Sequence, residues 1–167
     1  EYVFQVFSGN EDGILEEIAE VHKKRNKDRI SLFNDSKRFN HIKSLYQDKD
    51  LTRTFVLRSK EKEVISYATC YLYDGVLHNW NTSFDLNFSD YSAGDLIYLE
   101  MIQYAFQSED TFEQVDFGAG RYPWKFRMTN TFVPTYRLNL NNSNSKKYVF
   151  LMLYDKVFMI GKVLLNK

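Results

Sequence analysis

Residues 116–128, DFGAGRYPWKFRM, place an acid, two glycines and three basic residues close together along the chain. A carboxylate such as that of Asp116 can take a proton from a reacting group, although carboxylates are ordinarily weak bases at neutral pH. Lys125 and Arg127 could neutralise a phosphate. Positive charges near the start of a helix oppose its dipole, so these cations cost stability unless an anion binds nearby. A purely structural alternative, in which Asp116 pairs with Arg121 or Lys125, stays open.

The other residues of this stretch predict a turn followed by a short helix. Gly118 and Gly120 permit a tight turn whose backbone can approach a ligand closely. Pro123 suits the first turn of a helix that runs to about residue 130. Two aromatic residues are expected to anchor the turn in the core: Phe117 and Trp124.

Composition excludes several classes of protein. The 22 basic residues balance the 22 acidic ones, which argues against a general nucleic-acid-binding surface. Cys70 is the single cysteine, so an intramolecular disulfide and a cysteine metal cage are both excluded. No apolar run is long enough to span a membrane, and nothing resembles a signal peptide. These features predict one compact cytoplasmic domain over residues 1–167, without a metal.

The first half of the chain predicts two helices and a hairpin. A glycine-containing turn at residues 8–13 leads into one amphipathic helix, and Asp35 can cap a second. Residues 54–59 and 64–73 have the composition of two paired strands. The second is apolar on both faces, which is typical of a central strand covered on each side by helices. The predicted fold is therefore a mixed α/β one, a twisted sheet with helices on both faces.

The second half predicts a βαβ unit. A tight turn leads into a strand at residues 76–84, and a helix at 91–107 connects it to a parallel strand at 112–118. Closing strands are predicted at 135–140 and 146–165. Strict alternation along the first strand predicts that three polar side chains share one face, turned either to water or to a cleft: Asn79, Asn81 and Ser83.

The junction Ser92-Ala93-Gly94 leads into the helix of this unit. A helix N-terminus offers unpaired N–H groups and a positive dipole end, both of which favour an anion such as a pyrophosphate. Gly94 would let the backbone come close to that anion. Many junctions between a loop and a helix have the same composition, so a purely structural role stays open.

Residues 116–127 resemble a known signature. It reads Asp-Phe-Gly-x-Gly, then three residues, an aromatic residue, Lys, one further residue and Arg. It is that of the cellulose-biosynthesis-type (CelD-like) acetyltransferase domain in the GNAT acyltransferase superfamily. Here it begins at Asp116 and ends at Arg127, and Ser92-Ala93-Gly94 matches the upstream helix junction of that family. Three substitutions depart from the pattern: Ala93 stands for the usual proline, Trp124 for the more common tyrosine and Met128 for the more common phenylalanine. The branch also includes the Fem-type aminoacyl transferases, which use aminoacyl-tRNA.

The resemblance implies an acyltransferase that moves an acyl group from acetyl-CoA to an amine of a small molecule, an amino sugar or a cell-envelope precursor. Two alternatives stay open, a GNAT-like module without chemistry and an aminoacyl-tRNA-dependent transferase. Nucleic acid is an expected partner only in the second alternative, and no membrane contact is expected. Because this branch commonly carries two tandem units, the chain is compatible with the C-terminal half of such a protein, or with a homodimer.

The resemblance also implies a role for each group of site residues. Asp116 and Lys125 are the catalytic candidates. The residues expected at the carrier phosphates are Ser92, Gly94 and Asp95. The residues expected to bind the acceptor are Asn79, Asn81, Ser83, Arg121, Tyr122 and Arg127. The alternative bases, ranked lower because a lone histidine is more often structural, are His22, His41 and His78.

Overall fold

A computed structural model describes residues 1–27, 33–108 and 112–136 of the protein. The chain divides into two compact units, Glu1–Asn130 and Thr131–Lys167. Every helix and strand named below lies in the first unit. The expectation of one domain over the whole chain stays a prediction.

The helices and strands follow one another in the order that the sequence predicts, with an additional strand at the start. The predicted closing strands at 135–140 and 146–165 lie outside the described residues, apart from residues 135 and 136. The elements are β1 (Val3–Ser8), α1 (Ile14–Arg25), α2 (Ser36–Leu45), β2 (Thr52–Arg58), β3 (Val64–Tyr73), β4 (Val76–Phe84), α3 (Ala93–Gln107), β5 (Gln114–Asp116) and α4 (Lys125–Met128).

The five strands form one sheet in the order β1-β2-β3-β4-β5. The first four strands are antiparallel neighbours, and β5 pairs with β4 in parallel. This parallel pairing, which ends at His78 and Asp116, confirms the βαβ unit. β3 is the middle strand, and its Tyr67 and Cys70 are fully buried, as the two-sided apolar pattern predicts. The edge strand β1 is not among the predicted elements.

Helices cover both faces of the sheet, which confirms the predicted layering. On one side, Ile14 and Ile18 of α1 pack with Tyr67 of β3 in a cluster to which α2 also contributes; we call this side the α1/α2 face. On the other side, Ile97 and Met101 of α3 pack against apolar residues of β2, β3 and β4; we call this side the α3 face. Each face of the sheet therefore buries its own apolar cluster.

Two local predictions are also confirmed. The side chain of Asp35 accepts hydrogen bonds from the backbone N–H groups of Lys37 and Arg38, so it caps α2. The β3–β4 turn contains Asp74 and Gly75, whose φ angles are 50° and 71°. Both angles are positive, as a two-residue hairpin turn of this type requires.

A β-bulge interrupts β4. Cys70 of β3 is in register with Asn79, whereas the preceding Thr69 is in register with Asn81. Trp80 lies between them without a partner on β3. A bulge of this kind breaks the alternation of side chains along the strand, because one extra residue is inserted between two paired positions.

The bulge separates the polar side chains that strict alternation places together. Oδ1 of Asn79 accepts a 3.3 Å hydrogen bond from the hydroxyl of Tyr98, which belongs to the α3 face. Asn81 accepts a 2.7 Å hydrogen bond from the hydroxyl of Tyr67, which belongs to the α1/α2 face. The prediction that Asn79, Asn81 and Ser83 point to one side is therefore wrong.

Within the described part of the chain, no helix combines the length and the apolar character needed to cross a bilayer. The same residues contain no group of three or more His, Cys, Asp or Glu side chains arranged to hold a metal ion.

The burial pattern of α3 yields a stability prediction. Replacing the fully buried Ile97 by alanine should lower the free energy of unfolding by about 2–5 kcal/mol, because it leaves a cavity against the sheet. Leu99 on the same helix is 54% exposed, so Leu99→Ala is a control of similar size that should change it by less than about 0.5 kcal/mol. Urea denaturation measures both. Equal losses would contradict the placement of α3.

Candidate active site

The candidate site lies where β4 and β5 part. Their last pair in register is His78 with Asp116, and β4 then runs through residues 79–84 with no β5 partner among the described residues. Nδ1 of His78 lies 3.1 Å from Oδ2 of Asp116. The two side chains are 39% and 51% exposed, so solutes can reach both. Ligands of open α/β sheets gather at the carboxyl ends of parallel strands, and Asp116 is the last residue of β5.

A tight turn follows Asp116 directly. The second carboxylate oxygen, Oδ1, accepts a 2.7 Å hydrogen bond from the backbone N–H of Gly118. Gly118 has a φ of 75°, and a Cβ there would lie 3.2 Å from the carbonyl oxygen of Asn79. Gly120 has a φ of 99°, and a Cβ there would lie 2.7 Å from the ring of Tyr122. Both positions therefore need glycine, as the predicted turn requires.

Aromatic stacking fixes this turn against α3. The ring of Tyr98 stacks on Trp124 with centroids 4.3 Å apart, and Phe117 meets Tyr98 edge-on at 5.5 Å. The Tyr98 hydroxyl lies 3.0 Å from Oγ1 of Thr82 on β4. Burial raises the pKa of Tyr98, so its hydroxyl stays protonated. The prediction that Phe117 and Trp124 anchor the turn is confirmed.

Lys125 is hydrogen-bonded to the backbone of this turn. Its side chain is buried, and Nζ donates hydrogen bonds to the carbonyl oxygens of Gly118 at 2.6 Å and Ala119 at 3.0 Å. Burial lowers the pKa of Lys125, and the nearby charge of Asp116 raises it by a smaller amount. The cation is thus turned toward the loop backbone, and the direct hydrogen-bond partners of Asp116 are His78 and Gly118. A catalytic role for Lys125 stays a prediction.

The three residues expected at the carrier phosphates lie together at the start of α3. Ser92 has a φ of 52°, and its side chain makes no capping hydrogen bond. A Cβ on Gly94 would lie 3.2 Å from the ring of Phe84, so glycine is needed here for packing as well. The carboxylate of Asp95 accepts two hydrogen bonds from Arg127, at 2.7 and 2.9 Å. Arg127, which the resemblance places with the acceptor residues, therefore contacts the start of α3.

The expected acceptor residues do not form one surface. Asn79 and Ser83 are 7% and 1% exposed, so the packed layers cover their side chains. Asn81 is half-buried, and Arg121 and Tyr122 are exposed. Acceptor binding by these five residues stays a prediction.

Of the three histidines, the structure brings only His78 next to the predicted catalytic aspartate. His22 bonds through Nδ1 to the hydroxyl of Tyr67, and burial lowers its pKa. His41 is exposed on α2. Sequence reasoning names His78 but ranks it low, because the signal that distinguishes it is its register with Asp116, 38 positions further along the chain.

Residues 1–126 match the sequence profile of the family described as "Acetyltransferase (GNAT) domain". The chain belongs to the GNAT acetyltransferase family. It is accordingly an acyltransferase enzyme, in a family whose members use acetyl-CoA. This membership disfavours the alternative of a GNAT-like module without chemistry. No curated protein sequence matches the chain.

Solved GNAT structures share the fold of this family member. An aminoglycoside acetyltransferase from an uncultured soil metagenomic sample, in complex with sisomicin, aligns with a TM-score of 0.58 at 15% identity, over 86% of this chain and 97% of that one. The ribosomal-protein-alanine N-acetyltransferase from Brucella melitensis biovar Abortus 2308 gives 0.57 at 10% identity, over 84% and 100%. AAC(6')-Iy, in complex with the bisubstrate analog CoA-S-monomethyl-acetylneamine, gives 0.54 at 11% identity, over 87% and 99%. At these identities the likeness shows the fold alone.

The contacts of Lys125 yield a second prediction. Lys125→Met keeps most of the apolar part of the side chain but removes the donor to two loop carbonyls, so it should lower the free energy of unfolding by about 1 kcal/mol. Arg121→Met, in an exposed position of the same loop, is the control and should have almost no effect. Both are measured by urea denaturation. If the two variants are equally stable, Lys125 does not brace the turn.

Proposed function

We propose that this GNAT family member transfers the acetyl group of acetyl-CoA to an amine, with the donor lying between β4 and β5. The observation that carries the proposal is the separation of these strands after His78 and Asp116, beyond which residues 79–84 of β4 have no strand partner on this edge among the described residues. An unpaired strand edge presents N–H and C=O groups that can bond an extended chain. The pantetheine arm of CoA is such a chain, since it contains two amides.

The N-terminus of α3 suits the phosphate end of the donor. Ser92 provides no side-chain cap, so the backbone N–H groups of Ala93 and Gly94 are the donors that an anion would meet. Arg127 adds a positive charge that is 58% exposed. Asp95 opposes an anion through its own charge, which Arg127 partly neutralises. In this proposal Asp95 therefore orients Arg127, and its carboxylate does not contact phosphate.

The bulge in β4 supplies a polar environment for the reacting carbonyl. Trp80 is left out of the β3 pairing, and backbone groups at such positions are free for other partners. Preorganised N–H donors stabilise an acyl oxygen on which negative charge develops, so the bulge is a suitable place for that oxygen. Positioning of the two substrates supplies much of the remaining rate enhancement.

The proposed acceptor is an amine on an amino sugar, another small molecule or a cell-envelope precursor. The aminoglycoside acetyltransferases with the same fold support an amino sugar, and the resemblance to CelD-like domains supports an envelope precursor. The remaining expectations about context stay predictions: a cytoplasmic location, a second GNAT-like unit or a homodimer, and the aminoacyl-tRNA-dependent alternative.

Donor binding and transfer are tested separately. Titration calorimetry should detect acetyl-CoA binding, and release of CoA in the presence of amino-sugar or other primary-amine acceptors can be followed with a thiol reagent. Cys70 should not react with that reagent, because it is fully buried and burial raises the pKa of its thiol. A protein that binds no acyl-CoA but transfers from aminoacyl-tRNA would contradict the proposed donor.

Neutralising the charges at the start of α3 tests the phosphate end. Asp95→Asn should tighten acetyl-CoA binding about threefold, because it removes a like charge and releases Arg127. Arg127→Gln should weaken binding about tenfold, since it removes a cation and leaves Asp95 unpaired. Lys60→Gln, an exposed charge removed at the β2–β3 turn, should leave the dissociation constant unchanged. Weaker binding in Asp95→Asn would mean that this carboxylate contacts the donor after all.

A further inference from the structure

We infer that His78 is the base that takes the proton from the acceptor amine and that Asp116 is a positioning residue that fixes its tautomer. The inference rests on the proposed function and assigns Asp116 a different part from the one its sequence motif suggests. It starts from the 3.1 Å contact between Nδ1 of His78 and Oδ2 of Asp116. A carboxylate only accepts hydrogen bonds, so the proton of a neutral His78 lies on Nδ1 and the lone pair lies on Nε2.

Asp116 is poorly placed to act as the base itself. Oδ1 accepts the N–H of Gly118 at 2.7 Å, and Oδ2 faces His78, so both oxygens already have partners. A carboxylate is also a weaker base than an imidazole near neutral pH. What Asp116 can do in this position is orient the imidazole and stabilise its protonated form.

Access favours His78 over the other groups at the site. Its side chain is 39% exposed and lies at the last position where β4 pairs with β5 in the described part of the chain. It is directly opposite Tyr71 of β3 and shares its face, which is the α1/α2 face. An acceptor that approaches from this face therefore meets Nε2 at the point where the proposed donor cleft begins. Lys125, in contrast, is buried and bonded to loop carbonyls.

The transfer step balances with these two residues and the two substrates. The nitrogen of a neutral acceptor amine forms a bond to the acyl carbon, and the carbon–sulfur bond breaks with its electrons remaining on sulfur. The proton lost by the nitrogen goes to Nε2 of His78. The imidazolium, stabilised by Asp116, then returns the proton to the thiolate, so that CoA leaves as the thiol and His78 is again neutral.

One substitution removes the base and another blocks its lone pair, and both keep the hydrogen bonds between the two positions. In His78→Gln, the amide can still donate to Asp116, so a purely structural link between β4 and β5 is retained. In Asp116→Asn, the amide oxygen can still accept the Gly118 N–H. Its NH₂ group must then donate to Nδ1 of His78, which moves the imidazole proton to Nε2. A role as a structural brace predicts near-normal activity for both.

We expect each variant to lower kcat by about 100-fold or more, the usual contribution of a general base, while the KM values change by less than about threefold. Melting temperatures should stay close to that of the wild type, and His41→Gln is the matched control with unchanged kcat. ¹⁵N NMR of the imidazole should show an Nδ1-protonated tautomer for His78 in the wild type and an Nε2-protonated one in Asp116→Asn.

Normal kcat in His78→Gln would overturn the inference, as would an unchanged tautomer in Asp116→Asn. Calorimetry with acetyl-CoA on the same samples separates the two proposals. A variant that binds the donor normally but turns over slowly supports the base. A wild-type protein that binds no acetyl-CoA overturns the proposed function, and this inference with it. A wild type that transfers acetyl groups while His78→Gln does so equally well overturns the inference alone.

Discussion

The packing of Tyr98 is the contact on which the architecture of the site depends. This residue of α3 is 7% exposed, and its ring stacks on Trp124 while its hydroxyl reaches Thr82 of β4. One side chain thereby links the crossover helix, the bulged strand and the turn after β5. Aromatic pairs of this kind stabilise beyond their buried area, and a buried hydroxyl needs its partner. This contact therefore connects the turn after β5 to β4 through a side chain of α3.

The charged side chains of the site form hydrogen bonds to the backbone of the turn and to one another. Lys125 is buried, which is unfavourable for an ammonium group, and two loop carbonyls compensate by accepting its hydrogen bonds. Asp116 is tied to the N–H of Gly118 and to His78, and Asp95 is tied to Arg127. The charged residues of the signature thus stabilise the turn and the N-terminus of α3. Among the described residues, β4 has no strand partner on this edge beyond His78, whose side chain is 39% exposed.

Much of the fold follows from local pattern. The hairpin, the central strand, the capped helix and the parallel strand pair are all predictable, because turn residues and apolar periodicity act within a few positions of each element. β1 is the exception among the described strands. It is an edge strand with one partner, so its six residues carry a weaker apolar pattern than β3. Of the candidate site, the turn glycines and their aromatic anchors are predictable in the same way.

The sequence by itself therefore determined the family signature, the glycine turn and the order of the elements from α1 to α4, since each is encoded in neighbouring residues. Tertiary structure alone decided which side chains meet. The bulge at Trp80 sends Asn79 and Asn81 to opposite faces, and the parallel register brings His78 to Asp116 across 38 positions. Register and bulge are set by packing against two helix layers. Those contacts are non-local, so no short stretch of the sequence contains the information that fixes them.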